Sequence, residues 1–189
     1  MNFSAVILAG GKSSRMGCDK AFLEIGGQTL LARQIQLVRA AGAAEVFISG
    51  RAGVDYPAFG GRVLTDHFPD AGPLAGIQRA LEAMTAPLLL VLAVDLPGMT
   101  VDFLRMLAVG CPENCGAVPR VNGNLEPLAA IYPQAARPLA AALLVENNFA
   151  VKHFAARCEQ AGLVAFVEWP ETAASFFGNW NSPSDRPAA

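Results

Sequence analysis

The sequence predicts an α/β fold whose sheet is mostly parallel. Short apolar runs, typical of buried strands, alternate along the chain with longer segments of helical periodicity. One of these runs, residues 88–94, is apolar at every position, so we expect a central strand with helices on both faces. A glycine-rich loop follows the first strand, at the sheet edge where parallel α/β proteins bind their ligands.

The individual elements follow from periodicity and end signals. In chain order they are strand 5–9, helix 30–41, strand 46–49, strand 62–65, helix 73–84, strand 88–94, helix 100–109, strand 117–118, turn 122–124, strand 128–132, helix 135–144, helix 151–161 and strand 163–168. Pro73 suits the first turn of its helix, and Thr100 is expected to cap the next one. Asn122-Gly123 predicts a tight turn between strands.

Composition narrows the class of protein. The 189 residues are 53% hydrophobic, enough for one well-buried core, so we expect a single domain over 1–189 with a frayed tail at 186–189. The net charge of −2 and the lack of a dense basic run argue against nucleic acid or a membrane as partner. The N-terminus shows no signal-peptide pattern and no apolar run is long enough to cross a bilayer, which predicts a cytoplasmic location.

The cysteines are expected to be free thiols. Cys18, Cys111, Cys115 and Cys158 show no spacing known for a metal site, and a zinc or redox role is the lesser alternative. Cys18 is the one inside the glycine-rich loop.

The loop at residues 9–20 has the features of a polyphosphate site. Gly10, Gly11 and Gly17 are expected to allow positive φ and to bring backbone N–H groups close to anionic oxygens. Arg15 and Lys20 add cationic charge. The spacing matches neither a P-loop nor a dinucleotide-binding GxGxxG loop. The alternative is a plain strand followed by a glycine-rich turn.

Two carboxylates follow predicted strands and are expected at the same edge. Asp95 is the candidate Mg²⁺ ligand, because Mg²⁺ takes one or two carboxylates together with substrate phosphates and water. Asp66 could orient a base or metal-bound water, or could be a solvated turn carboxylate. Gly72 and Gly76 are expected to let a loop and a helix start lie tightly beneath a ligand.

Four motifs together resemble the molybdenum cofactor guanylyltransferases. The loop reads L-A-G-G-x-x-x-R-M-G-x-D-K, and it is followed by G-P-L-A-G at 72–76, D-x-P at 95–97 and N-x-N-S-P-x-D at 179–185. The resemblance implies a three-layer α/β/α, Rossmann-like nucleotidyltransferase fold. It also implies transfer of GMP from GTP to molybdopterin carrying molybdenum, with Mg²⁺ required and pyrophosphate released, and apo-molybdoenzymes or their chaperones as possible partners.

The resemblance also suggests residue roles. The nucleotide-binding candidates are Leu8, Ala9, Gly10, Gly11, Lys20, Asp66, Gly76 and Asp95, with Asp95 as metal ligand. The catalytic candidates are Arg15, Lys20 and Asp95, which would stabilise an in-line attack on the α-phosphate of GTP. Asn179, Asn181 and, more weakly, Lys152 are the candidates for binding the pterin.

Two features depart from the family pattern, and other activities stay open. The family's basic stretch before the penultimate helix is represented here only by residues 147–152, which carry fewer charges than expected against a pterin phosphate. Gly50 stands where some family members have a nucleotide-contacting asparagine, so it offers only backbone there. The alternatives are a related transferase with another base or acceptor, such as a molybdopterin cytidylyltransferase or a sugar-phosphate nucleotidyltransferase, and a non-catalytic carrier of molybdopterin or nucleotide.

Overall fold

One large mixed sheet organises the chain. The computed structural model describes residues 1–10, 20–50, 54–56, 60–68, 70–111 and 115–180. The strands are β1 (Phe3–Leu8), β2 (Glu24–Ile25), β3 (Gln28–Thr29), β4 (Glu45–Ser49), β5 (Arg62–Leu64), β6 (Leu88–Ala93), β7 (Gly116–Val121), β8 (Asn124–Leu125), β9 (Ala129–Pro133) and β10 (Val164–Trp169). The α-helices are α1 (Leu30–Ala41), α2 (Pro73–Ala83), α3 (Val101–Val109), α4 (Arg137–Val145) and α5 (Val151–Gln160), and 3₁₀ helices span Lys20–Phe22, Gln134–Ala136 and Glu171–Phe177.

The strand order of the large sheet is β10-β7-β9-β6-β1-β4-β5, with β8 paired to β7. β5, β4, β1 and β6 run parallel to one another. β9 is antiparallel to both of its neighbours, β6 and β7, and β10 is again parallel to β7. A small antiparallel hairpin, β2–β3, stands apart from this sheet.

Helices cover the sheet on both faces, as the uniformly apolar run predicts. All six residues of β6 are buried. Leu88, Leu90 and Leu92 join the core beneath α1 and α3, whereas Leu89 and Val91 join the core beneath α2, α4 and α5. The side chains alternate because successive residues of a strand point to opposite faces. The result is the predicted three-layer α/β/α architecture.

Most predicted elements are confirmed, with ends shifted by one or two residues. Thr100 caps α3 by accepting a hydrogen bond from Phe103 N–H at 3.2 Å, and Pro73 begins α2. Asn122 (φ 49°) and Gly123 (φ 76°) form the predicted turn between β7 and β8. The strand expected at 117–118 is longer, Gly116–Val121, and the helix expected from 135 begins as the 3₁₀ turn Gln134–Ala136. The sequence interpretation missed the β2–β3 hairpin.

The cysteines are reduced where the structure describes them. Cys111, Cys115 and Cys158 are free, and burial raises the pKa values of Cys111 and Cys158 to about 12. Cys18 and the tail at 186–189 lie outside the described residues. Among the described helices, none has the length and hydropathy needed to cross a bilayer.

Candidate active site

The four parallel strands end in one row at their carboxyl edge. Leu8 of β1 is in register with Ser49 of β4 and with Ala93 of β6, and Ser49 is in register with Leu64 of β5. The chain passes from β1 through α1 to β4 on one side, and from β5 through α2 to β6 on the other. The edge between β1 and β6 is therefore the topological switch point, where open α/β sheets bind ligands.

Three predicted residues each stand two positions beyond this row. Gly10 follows Leu8, Asp66 follows Leu64, and Asp95 follows Ala93. Gly10, which begins the glycine loop, therefore shares one edge of the sheet with both carboxylates, as expected. Gly11 and Arg15 lie outside the described residues, so their roles stay predictions.

Lys20 and Asp95 form an ion pair at the centre of the site. Lys20 Nζ lies 2.8 Å from Asp95 Oδ2, and the side chains are only 17% and 22% exposed. Lys20 begins a 3₁₀ helix whose Ala21 is fully buried, and Leu23 N–H donates to Lys20 O at 3.1 Å. Two of the three predicted catalytic side chains, 75 residues apart in sequence, thus meet.

The backbone around Asp95 is fixed from three sides. Val94 N–H donates to Leu8 O at 3.2 Å, and Trp180 N–H donates to Asp95 O at 3.1 Å. Gln34 Nε2, fully buried on α1, donates to Leu96 O at 2.8 Å and lies 3.5 Å from Val94 O. The sequence interpretation missed Gln34, although a glutamine between the apolar residues of helix 30–41 was its signal.

The backbone N–H groups of Ala9 and Gly10 are already hydrogen-bonded within the sheet. This corrects the prediction that Gly10 adopts positive φ and brings its N–H group to a phosphate. Both N–H groups donate to Ser49 O, at 2.8 Å and 3.0 Å, and Gly10 is not among the described glycines with positive φ. These amides extend the pairing of β1 with β4 and are not available to phosphate oxygens. The other residues of the predicted polyphosphate loop, 11–19, lie outside the described residues.

Asp66 lies partly buried at the end of this edge formed by β4 and β5. Ser49 Oγ, buried, donates a long hydrogen bond of 3.5 Å to Asp66 Oδ1. Burial raises the pKa of the Asp66 carboxyl, and the hydrogen bond from Ser49 and the nearby His67 and Arg79 oppose that rise. A carboxyl whose pKa is raised by burial is common at functional sites.

Two glycines support the site by close contact. A Cβ at Gly76 would clash with Ser49 Oγ and with the Leu8 side chain, and Gly76 is buried. Its predicted contact with GTP is therefore corrected to a supporting role beneath Ser49. Gly72 has a φ of 67° and open space around it, so it serves the turn into α2 and not close packing.

Gly50 stands where some family members have an asparagine. A Cβ at Gly50 would overlap the Tyr56 ring, so a side chain does not fit at this position while the ring stays in place.

A second feature is a cleft of about 880 Å³ near Asp95. Ala93 and Leu96, which flank Asp95, line one part of it. Other lining residues come from the β7–β8 hairpin, from the segment leading into β9, from the start of α5 and from the C-terminal segment. Lys152 and Asn179 both line this cleft, so two of the three predicted pterin-binding residues come together. Asn181 lies outside the described residues.

Asp95 fits a magnesium ion only if a substrate supplies further ligands. Its Oδ2 accepts the bond from Lys20, and its Oδ1 has no hydrogen bond to the described residues. The described residues contain no group of three or more acidic, histidine or cysteine side chains that could hold a metal alone. A lone carboxylate matches Mg²⁺, which usually keeps several waters and binds substrate phosphates.

Comparison with known proteins gives close sequence relatives. The family model described as "MobA-like NTP transferase domain" matches residues 5–163. A protein of Opitutus terrae named "Probable molybdenum cofactor guanylyltransferase" is 39% identical over 186 residues, 97% of this chain and 92% of the relative. A protein of the same name from Synechococcus elongatus is 34% identical and covers 98% of this chain and 96% of its own length.

Solved structures share the fold. Molybdopterin-guanine dinucleotide biosynthesis protein A from Archaeoglobus fulgidus has a TM-score of 0.67 at 21% identity, covering 96% of this chain and 94% of that one. 2-C-methyl-D-erythritol 4-phosphate cytidylyltransferase from Thermus thermophilus has a TM-score of 0.73 at 24% identity, covering 98% and 95%. With the family model and the full-length relatives, this chain belongs to the MobA-like NTP transferases and, within them, to the molybdenum cofactor guanylyltransferases.

Proposed function

We propose that this protein transfers GMP from GTP to molybdopterin, carrying molybdenum, and releases pyrophosphate. The observation that carries the proposal is the position of the Lys20–Asp95 pair. It lies between the edge formed by β1, β4 and β5 on one side and the 880 Å³ cleft on the other. A transferase needs its reacting phosphate between a nucleotide site and an acceptor site, and the position of this pair supports such an arrangement.

The chain's own residues would act by positioning and charge. Lys20 places a compact positive charge where the α-phosphate gains negative charge during attack. Asp66 accepts hydrogen bonds on the nucleoside side, and Lys152 and Asn179 orient the acceptor in the cleft. Asp95 would hold Mg²⁺, which, when bound, neutralises phosphate charge and favours pyrophosphate as leaving group.

The reaction needs no nucleophile from the protein. A phosphate oxygen of the acceptor attacks the α-phosphorus of GTP, the new P–O bond forms, and the bond to the bridging oxygen breaks as pyrophosphate departs. The described histidines have other partners: His67 lies 3.9 Å from Glu82, and His153 Nδ1 lies 3.0 Å from Asn148 Oδ1. Within the described part of the chain, neither is hydrogen-bonded to a serine or cysteine side chain.

Pyrophosphate release by the purified protein tests this proposal. Each of GTP, CTP, ATP and UTP is supplied with Mg²⁺, with and without molybdopterin. We expect release that requires GTP and the acceptor. Lys20→Met and Asp95→Ala should each lower kcat by roughly 100-fold or more, the order seen when a charge-stabilising group is removed. Glu159→Gln, an exposed carboxylate on α5, is the matched control and should leave the rate unchanged.

Other outcomes would change the assignment. Selective release from CTP would keep the mechanism and replace the base. Acceptor-dependent release with sugar phosphates in place of molybdopterin would replace the acceptor. GTP binding without any release would indicate a carrier and contradict catalysis, as would full activity of Lys20→Met.

A further inference from the structure

Glu126 is a carboxylate in the cleft that no motif pointed to. It lies between the β7–β8 hairpin and β9, partly buried, and it lines the cleft together with Lys152 and Asn179. Lys152 is the neighbouring charge that acts on its carboxylate. Partial burial removes some of the water around a carboxylate, so a ligand that donates hydrogen bonds to it can stabilise its charge.

The backbone at Glu126 is held rigidly. Glu126 N–H donates to Pro119 O at 2.9 Å, and Ala129 N–H donates to Glu126 O at 3.2 Å. At the next residue, the buried Tyr132 hydroxyl donates to Pro127 O at 3.0 Å. Three hydrogen bonds thus fix the backbone of residues 126 and 127, so the carboxylate is presented from a preorganised support.

This support is tied directly to the reaction centre. Ala93 N–H donates to Leu128 O at 2.8 Å, which fixes the Glu126 segment to β6 two residues before Asp95. This hydrogen bond continues the antiparallel pairing of β6 with β9, which joins the Glu126 segment to the strand that leads to Asp95. A ligand held by Glu126 would be held in a fixed relation to the Lys20–Asp95 pair.

Burial raises the pKa of Glu126, and the Lys152 charge opposes that rise. The cleft around the carboxylate is largely apolar, with Leu128, Phe149 and Phe177 among its lining residues. Such a site suits a flat heterocycle whose edge carries hydrogen-bond donors, because the rings contact apolar side chains and the edge reaches the carboxylate.

We propose that Glu126 is a specificity-determining residue that accepts hydrogen bonds from the amino–lactam edge of the bound acceptor. In a pterin this edge is the ring N3–H next to the 2-amino group, two parallel donors that match the two oxygens of a carboxylate. The inference rests on the proposed function for the identity of the acceptor. The inference goes beyond the proposed function because it assigns the group that distinguishes a pterin from other ring systems.

Guanine carries the same pair of hydrogen-bond donors, so binding of a pterin must be distinguished from binding of guanine. The strand order favours the pterin. Glu126 precedes β9, which lies on one side of β6. Asp66 follows β5, which lies on the other side of β6, beyond β1 and β4. A guanine bound near Asp66 would lie on the opposite side of Asp95 from Glu126.

The test uses two matched ligand pairs. Pterin (2-amino-4-oxopteridine) carries an amino donor at position 2 where lumazine (2,4-dioxopteridine) carries an oxo acceptor, and both are fluorescent. GTP and ITP form the second pair, because ITP has a hydrogen atom in place of the 2-amino group of GTP. Binding of all four to the full chain is measured for wild type, Glu126→Gln, Glu126→Asp and the control Glu159→Gln.

Wild type should prefer pterin over lumazine by roughly tenfold or more, the value of a hydrogen bond to a charged group. Glu126→Gln should abolish or reverse that preference, since its amide N–H₂ can donate to the 2-oxo group of lumazine. Glu126→Asp should keep the direction of the preference with weaker pterin binding. The ratio of GTP to ITP affinity should not change in any variant.

The proposal is overturned if wild type shows no preference for pterin, including no measurable pterin binding, or if Glu126→Gln retains the preference of Glu159→Gln. A change in the GTP-to-ITP ratio alone would assign Glu126 to guanine and also overturn it. Binding needs no turnover, so loss of pyrophosphate release with an intact pterin preference would contradict the proposed function only.

Discussion

Asp66 illustrates at the residue scale how a functional group is kept at the expense of stability. Its carboxyl is partly buried, and the long bond from Ser49 compensates only in part, so burial raises its pKa above the model-peptide value of 3.8. A raised pKa means that the folded state binds the proton more tightly than the unfolded state does. The charged form therefore costs stability at neutral pH, and that cost disappears as the pH falls through the folded-state pKa toward 3.8.

Asp66→Asn should be more stable than wild type at pH 7 and bind GTP more weakly, by roughly tenfold if a charged hydrogen bond is lost. Asparagine keeps the oxygen that accepts from Ser49 but does not titrate. Urea unfolding at several pH values between 3.5 and 8 measures the difference in unfolding free energy.

The difference between this variant and wild type should shrink as the acid limit is approached. Asp102→Asn, which changes an exposed aspartate on α3, is the control and should show no such trend. If Asp66→Asn is less stable at pH 7, or if GTP affinity is unchanged, the role assigned to Asp66 is incorrect.

At the scale of elements, the contact between α2 and β4 positions this carboxylate. Gly76→Ala would place a methyl group against Ser49 and Leu8, so α2 must shift away from the sheet. We expect a loss of about 1–3 kcal/mol in unfolding free energy, typical of overpacking in a tight interior. GTP affinity should fall with it because Ser49 moves relative to Asp66.

The double variant Ser49→Gly, Gly76→Ala tests this explanation. The variant removes the side chain of residue 49 on β4 and adds a methyl group at position 76 on α2, so the clash between them is gone. Stability should therefore recover in part, but the hydrogen bond from Ser49 to Asp66 stays lost. Thermal unfolding together with GTP titration separates the two effects. Equal stability of Gly76→Ala and wild type would show that α2 does not depend on this contact.

The sequence predicts the elements well where local pattern decides them. Helix 30–41 and the central strand after residue 87 have periodicities that local chemistry dictates, and both form almost as predicted. The antiparallel direction of β9 depends on pairing with β6 and β7, which no local pattern encodes. The β2–β3 hairpin is only two residues per strand, too short for alternation to indicate it.

At the scale of the whole molecule, motifs identify residues but not their partners. Lys20 and Asp95 were predicted because their motifs are specific, and the fold brings them to 2.8 Å. Gln34 and Glu126 carry no motif, and their positions beside Asp95 and in the cleft follow from strand order and backbone hydrogen bonds. A single sequence cannot supply that information, since it depends on contacts between distant segments.

Because Asp95 connects β1, α1 and the C-terminal segment, ligand binding beside it should stabilise the whole fold. Trp180 N–H and Gln34 Nε2 both bond to backbone at residues 94–96. Mg²⁺ and GTP at 100 times the dissociation constant should add about 2.7 kcal/mol to the unfolding free energy. For a chain of this length, that corresponds to a rise of roughly 5–11 °C in Tm.

The metal dependence of this shift distinguishes binding at Asp95 from binding elsewhere. Removing Mg²⁺ with EDTA should reduce the GTP-induced rise in Tm, and Asp95→Ala should show the reduced rise whether or not Mg²⁺ is present, because the carboxylate that holds the ion is gone. Glu159→Gln should retain the full Mg²⁺-dependent shift. Differential scanning calorimetry with and without ligand measures each shift against the variant's own baseline, so a change in intrinsic stability does not enter. A Mg²⁺-dependent shift of normal size in Asp95→Ala would place the metal at other residues and remove the basis for Asp95 as its ligand.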